Sequence, residues 1–143
     1  MQSSGLAKYH PEYPLSIPGI PVNIRAQRLH FLGALAGLYR LFPYGTPIGR
    51  CVVKFEDGRQ TEFPWRAWQE FDNEWFNPRS AREHTDSKVV WRGMDADAEA
   101  SNNRVRLMMA TWQNPWPETK ITSLELRSDN QSPAPIIVAI TAE

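Results

Sequence analysis

The chain has 143 residues, 16 of them basic and 16 acidic, so its formal net charge is zero. That length suits one domain with a core of its own. The even charge balance gives no overall field to draw nucleic acid or an anionic membrane. A single cysteine, Cys51, excludes an intramolecular disulfide. No stretch is apolar enough for a signal peptide or a membrane span, so the expectation is a cytoplasmic protein or one separated from its export signal.

Twelve prolines point to many short elements joined by rigid turns, and six Trp, six Phe and four Tyr make the chain rich in aromatic rings. Residues 1–21 are polar and punctuated by proline, which predicts an extended arm, with Leu15, Ile17 and Ile20 laid against something. The rest, 22–143, reads as a single domain. Gln27 to Ala34 is predicted as a buried strand, although Leu29, Phe31, Leu32, Leu35 and Leu38 would also line a helix face. Arg50 to Glu56 alternates apolar and polar, Asp57-Gly58 supplies a turn pair with φ > 0, and Gln60 to Phe63 returns. That is a β-hairpin signature. Cys51, inside this apolar run, is expected to be a buried strand residue and not a nucleophile.

Trp65, Trp68, Phe71 and Trp75 are separated by three, three and four residues, which predicts one face of a short helix closing an end of the core. Asn77 to Ser87 reads as a polar loop, Lys88 to Arg92 as a short strand ended by Gly93, and Met94 to Asn103 as a second polar loop. Val105 to Trp112 reads as a strand, and the prolines of Gln113-Asn114-Pro115-Trp116-Pro117-Glu118 cannot continue it. Lys120 to Arg127 alternates with period two, and Pro135 to Thr141 is a third strand, giving antiparallel strands joined by one unusual loop. Many short strands without helix–strand alternation predict an all-β sandwich or barrel.

Several phrases together resemble a known family. They are Gly19-Ile20-Pro21-Val22, Leu29-His30-Phe31-Leu32, Gly49 to Gly58 with Glu62-Phe63-Pro64, Val90-Trp91-Arg92-Gly93, Thr111-Trp112-Gln113-Asn114-Pro115, and Ala134-Pro135 with Ala139 to Glu143. Their order and spacing resemble galactose-binding-like (jelly-roll) β-sandwich domains, carbohydrate-binding-module-like units appended to bacterial surface and secreted proteins. The resemblance implies an antiparallel jelly roll and an extracellular or cell-surface setting. Members of that group carry further strands ahead of the Gly19 segment, and a tyrosine-glycine pair where this chain has Ala67-Trp68. A sandwich short of strands would expose an edge, so a homo-oligomer is expected, with the arm or that edge in the contact.

The candidate chemistry is recognition, not catalysis. Trp112 and Trp116 flank Asn114 on a loop stiffened by two prolines, which is what sugar binding needs: an apolar ring face for pyranose C–H groups and an amide for hydroxyls. Position alone makes Trp116 the better surface candidate and Trp112 the better core candidate; Trp65 and Trp68 are further candidate ligand contacts. His10, His30 and His84 stand near no nucleophile motif, and no catalytic residue is assigned. No metal site is assigned either. Asp95, Asp97 and Glu99 alternate in a way that would suit a structural calcium, but without the frame of an EF-hand, and a solvated acidic loop is the simpler reading. Interleaved acids leave the nine arginines considered without the basic bias of a single-strand nucleic-acid binder. The expectation is a non-catalytic binding module with carbohydrate as ligand. The alternative is a structural subunit or protein-interaction domain, since Trp and Arg are favoured interface anchors; an enzyme comes third.

Overall fold

A computed structural model describes residues 1–78 and 88–143. His84, and the expected polar loop from residue 79 to its end, lie outside the described residues. The chain forms β1 (Ser16–Ile24), β2 (Arg28–Ala36), β3 (Pro47–Phe55), β4 (Gln60–Arg66), β5 (Trp75–Phe76), β6 (Lys88–Gly93), a one-turn helix α1 (Ala96–Ala100), β7 (Arg104–Gln113), β8 (Ile121–Ser128) and β9 (Ala134–Ala142). All named strand pairs are antiparallel and fall into two sheets. The first runs β1-β8-β3-β4. In the second, Met108 and Met109 of β7 pair with both β2 and β6, which therefore flank β7 on opposite sides. The order across that sheet is β6-β7-β2-β9.

The two inner faces supply the core. Leu29, Phe31 and Leu35 of β2 and Met108, Ala110 and Trp112 of β7 meet Cys51, Val53, Phe55, Trp65, Leu124 and Leu126 of the first sheet. Period-two alternation in both sheets puts these positions on one side. The hairpin forms where Asp57-Gly58 predicted it, with Gly58 at φ 85° and the Phe55 N–H bonded to Arg59 O at 2.9 Å.

Three expectations are corrected. Trp65 to Phe76 contains no helix: Trp65 belongs to β4, Trp68 adopts φ 68°, and the Trp68 N–H returns to Phe71 O at 2.9 Å. The strand end sends Trp65 inward and the tight turn sends Trp68 and Phe71 against the core, whereas Trp75 on β5 is only half-buried. Residues 72–74 then wedge between the end of β2 and the start of β7. Leu35 N–H reaches Asp72 O at 2.9 Å, Glu74 N–H reaches Leu35 O at 2.9 Å, and Arg106 N–H reaches Glu74 O at 2.8 Å.

Second, β7 and β8 are not sheet neighbours. The loop between them carries the chain from one sheet to the other, as does the one between β8 and β9. Third, the boundary expected after Pro21 falls inside β1, which pairs with β8 from Ser16↔Arg127 to Ile24↔Ile121. Prolines are tolerated there because β1 is an edge strand whose outer N–H groups need no partner.

Candidate functional site

The five residues expected at a ligand site are spread over the molecule. Trp65 is fully buried, packed edge-on against Phe31 and Phe71 at 5.8 and 6.1 Å between ring centroids. Trp112 is 8% exposed and belongs to the core. Trp68 is half-buried and donates its indole N–H to Phe42 O at 2.9 Å. Asn114 is also buried: its side-chain amide donates to Ala26 O at 2.7 Å, and its Oδ1 accepts the Trp116 N–H at 2.9 Å. This side chain is spent on shaping the inter-sheet loop.

Trp116 is half-buried. Its ring meets Phe55 edge-on at 5.3 Å, and the Arg59 guanidinium stacks over it at 4.4 Å. It stands at the Phe55 end of β3, whereas Trp68 follows Arg66, which pairs with Pro47 at the other end. Nine strand residues separate the two, about 27 Å. The structure does not bring them into one site.

The outer faces of the two sheets differ in character. On the first sheet, charges pair along the strands: Arg50 with Glu62 at 3.4 Å, Lys54 with Glu125 at 3.2 Å, and Arg127 with Glu125 at 2.7 Å. The Arg127 hydrogen bond, followed by one from Ser16, holds the Glu125 carboxyl down at about 2. That face is a satisfied, solvated ladder.

The second sheet's outer face carries Val105, Leu107, Met109, Thr111 and Gln113 of β7, because Arg106, Met108, Ala110 and Trp112 point inward. Trp91 of β6 pairs with Leu107, and Gly93 pairs with Val105. Trp91 is 48% exposed, the most open tryptophan among the described residues. Its indole lies across Gly93: a methyl group placed there would meet the ring at 2.2 Å. The missing side chain leaves the space that the outer edge of the ring occupies.

Further along this face stands a polar row. The His30 ring hydrogen-bonds Thr111 Oγ1 through Nδ1 and Glu143 Oε2 through Nε2, each at 2.9 Å. Arg28 reaches Glu143 at 3.4 Å and donates to Gln113 Oε1 at 3.2 Å. The bond from His30 and then the charge of Arg28 hold the Glu143 carboxyl below the ordinary range. Thr111 is four residues from Leu107 along β7, about 13 Å from the Trp91 row. His30, which stands near no nucleophile motif in the sequence, is thus hydrogen-bonded on an open face of the sheet.

A concavity lined by Phe76, Pro78, Arg92, Met94, Arg104 and Arg106 has a volume of about 690 Å³ at one end of β7. Arg106 is committed to the buried Asp72 at 2.6 Å. Asp95, the first of the carboxylates considered for calcium, caps α1 by accepting the Ala98 N–H at 2.7 Å. Among the described residues, no cluster of three or more His, Cys, Asp or Glu side chains is placed to hold a metal ion. No described helix is long and apolar enough to cross a membrane.

No family model matches the chain, and neither a curated protein nor a solved structure matches it.

Trp91 was not among the residues expected at a ligand site. The signal available was a tryptophan two positions before a glycine in a period-two strand, which stacks a large ring over an absent side chain.

Proposed function

We propose that the protein is a non-catalytic binding module whose ligand is a carbohydrate, held on the outer face of the second sheet. The observation that carries the reading is Trp91, exposed and seated over Gly93. A ring in that attitude offers an apolar platform to the C–H face of a pyranose. The Thr111, His30, Gln113 and Glu143 groups on the same face supply donors and acceptors for hydroxyls. Their mutual hydrogen bonds fix these side chains beforehand, which lowers the entropy lost on binding. An extended oligosaccharide lying from Trp91 toward His30 fits this layout better than a single sugar. The same reading takes the sandwich as a jelly roll of the galactose-binding-like kind, supported by the repeated crossing of the chain between two antiparallel sheets.

The test is a glycan array probed with the natural protein, Trp91→Ala and Trp116→Ala. Binding should vanish with Trp91→Ala and persist with Trp116→Ala. Binding that survives Trp91→Ala overturns the site. If the natural protein binds no glycan, carbohydrate is the wrong class and the exposed face is left to a protein partner.

A further inference from the structure

Among the described residues the two sheets end in four edge strands, and three of them are defended against pairing with another chain. β1 carries Pro18 and Pro21, left-handed Gly19 and Asn23 (φ 72° and 57°) and two breaks in register. β4 presents Glu62, Pro64 and Arg66. β6 carries Lys88 and Arg92 and is kinked between Val89 and Trp91. Charge, proline and irregularity are the usual means by which an edge is kept single. β9, Ala134-Pro135-Ile136-Ile137-Val138-Ala139-Ile140-Thr141-Ala142, has no charged residue at all. Its only named partner strand is β2. Its proline is at the start, where Pro135 O accepts the Met1 amino group at 3.0 Å. Its one irregularity falls at Val138, which leaves the stretch from Ala139 onward in regular register.

The hydrogen-bond phase of that stretch is fixed. Arg28 and Glu143 exchange both backbone bonds, each at 3.0 Å. Bonded and non-bonded pairs alternate in an antiparallel ladder. The pairs His30↔Thr141 and Leu32↔Ala139 are therefore bonded, and Ile140 and Ala142 turn their N–H and C=O groups toward the open edge.

We infer that β9 pairs antiparallel with β9 of a second copy of this chain, about a twofold axis through Thr141. In that register Ile140 of each copy exchanges hydrogen bonds with Ala142 of the other. Thr141 meets its own counterpart in a non-bonded pair on the outer face. Glu143 then stands opposite Ala139 and not opposite a second Glu143, so no like charges meet. Ile140 and Ala142, both half-buried, cover one another on the core side. The strand is thus complementary to itself in hydrogen bonding, charge and apolar surface, which is what a closed twofold contact requires. The axis is normal to the sheet, so the outer faces of both copies lie on one side of a continuous sheet. The pairing does not depend on the carbohydrate reading.

Thr141→Cys and Ala142→Pro test it. Non-bonded antiparallel partners have Cα atoms about 4.5 Å apart, within disulfide reach. Mild oxidation of Thr141→Cys should give a covalent species of twice the 16.4 kDa chain mass, while the natural protein, whose one thiol is buried, gives none. Ala142→Pro removes an N–H that β2 does not use and puts a ring in the second copy's path. It should keep the melting temperature and shift the concentration-dependent dimer seen in sedimentation velocity to monomer. Absence of the cross-link, or a dimer that Ala142→Pro leaves intact, overturns the inference.

Discussion

Replacing Glu74 with glutamine should stabilise the protein at neutral pH and leave it unimproved in acid. Glu74 sits in the wedge between β2 and β7, where Oε2 is shut off from solvent with no hydrogen-bond partner. Burial pushes its carboxyl from 4.5 up to about 7, opposed only by a bond to its own backbone N–H. Between those two values the folded state keeps a proton that the unfolded chain has released, so stability falls as pH rises through the window. Below it the cost is absent, and above about pH 7 it is complete. A rise of that size corresponds to about 3 kcal/mol. Glutamine keeps the shape and does not titrate. The cost of burying its amide, about 1–3 kcal/mol, is the same at every pH and cancels in a comparison between two of them. The stability difference between Glu74→Gln and the natural protein should therefore rise by about 3 kcal/mol from pH 4 to pH 8, as measured by urea denaturation. A difference that does not change with pH would refute the reasoning, and would mean that Glu74 finds a compensating partner or leaves the wedge.

Other outcomes follow from the packing. Trp112→Ala should cost about 3–5 kcal/mol, and Trp116→Ala, half-exposed at the hairpin tip, clearly less; equal losses in thermal denaturation would place Trp116 in the core. Arg106→Met removes the guanidinium paired with the buried Asp72 carboxylate and should destabilise by about 3–5 kcal/mol, whereas an unchanged melting temperature would show that the ion pair is replaceable. Gly93→Ala should lift the Trp91 indole off the sheet, shifting its fluorescence and weakening any sugar binding with little loss of stability. The Cys51 thiol, pushed up to about 12 by burial, should react with a thiol reagent at pH 8 only after unfolding; immediate reaction would contradict its place in the core.

The sequence made the strands legible where one face is buried, because alternation there is enforced by the core. The β3–β4 hairpin and β8 follow this rule, whereas β7 and β9 were legible as apolar runs bounded by prolines and turn residues. β1 was hidden, since its prolines break the alternating signal without breaking an edge pairing. The aromatic spacing of Trp65 to Trp75 was ambiguous in principle: helix periodicity and a strand–turn–strand sequence can place the same residues inward. The inter-sheet crossing after β7 was also out of reach, because local pattern says where a strand stops and not which sheet the next one joins. At the site, composition counted six tryptophans but could not sort them by exposure. Asn114 looked like a ligand group because an amide between two tryptophans is chemically apt, and nothing in the string shows that Ala26 O already holds it. Trp91 needed the position of Gly93 to be read as space.

The most direct measurement is a titration of the natural protein with an array-selected oligosaccharide, followed through the indole N–H signals of its six tryptophans by two-dimensional NMR. The Trp91 signal should move in a saturable way, while those of the buried Trp65 and Trp112 stay in place. If Trp116 or Trp68 moves and Trp91 does not, the binding face lies elsewhere on the sandwich and the central claim fails.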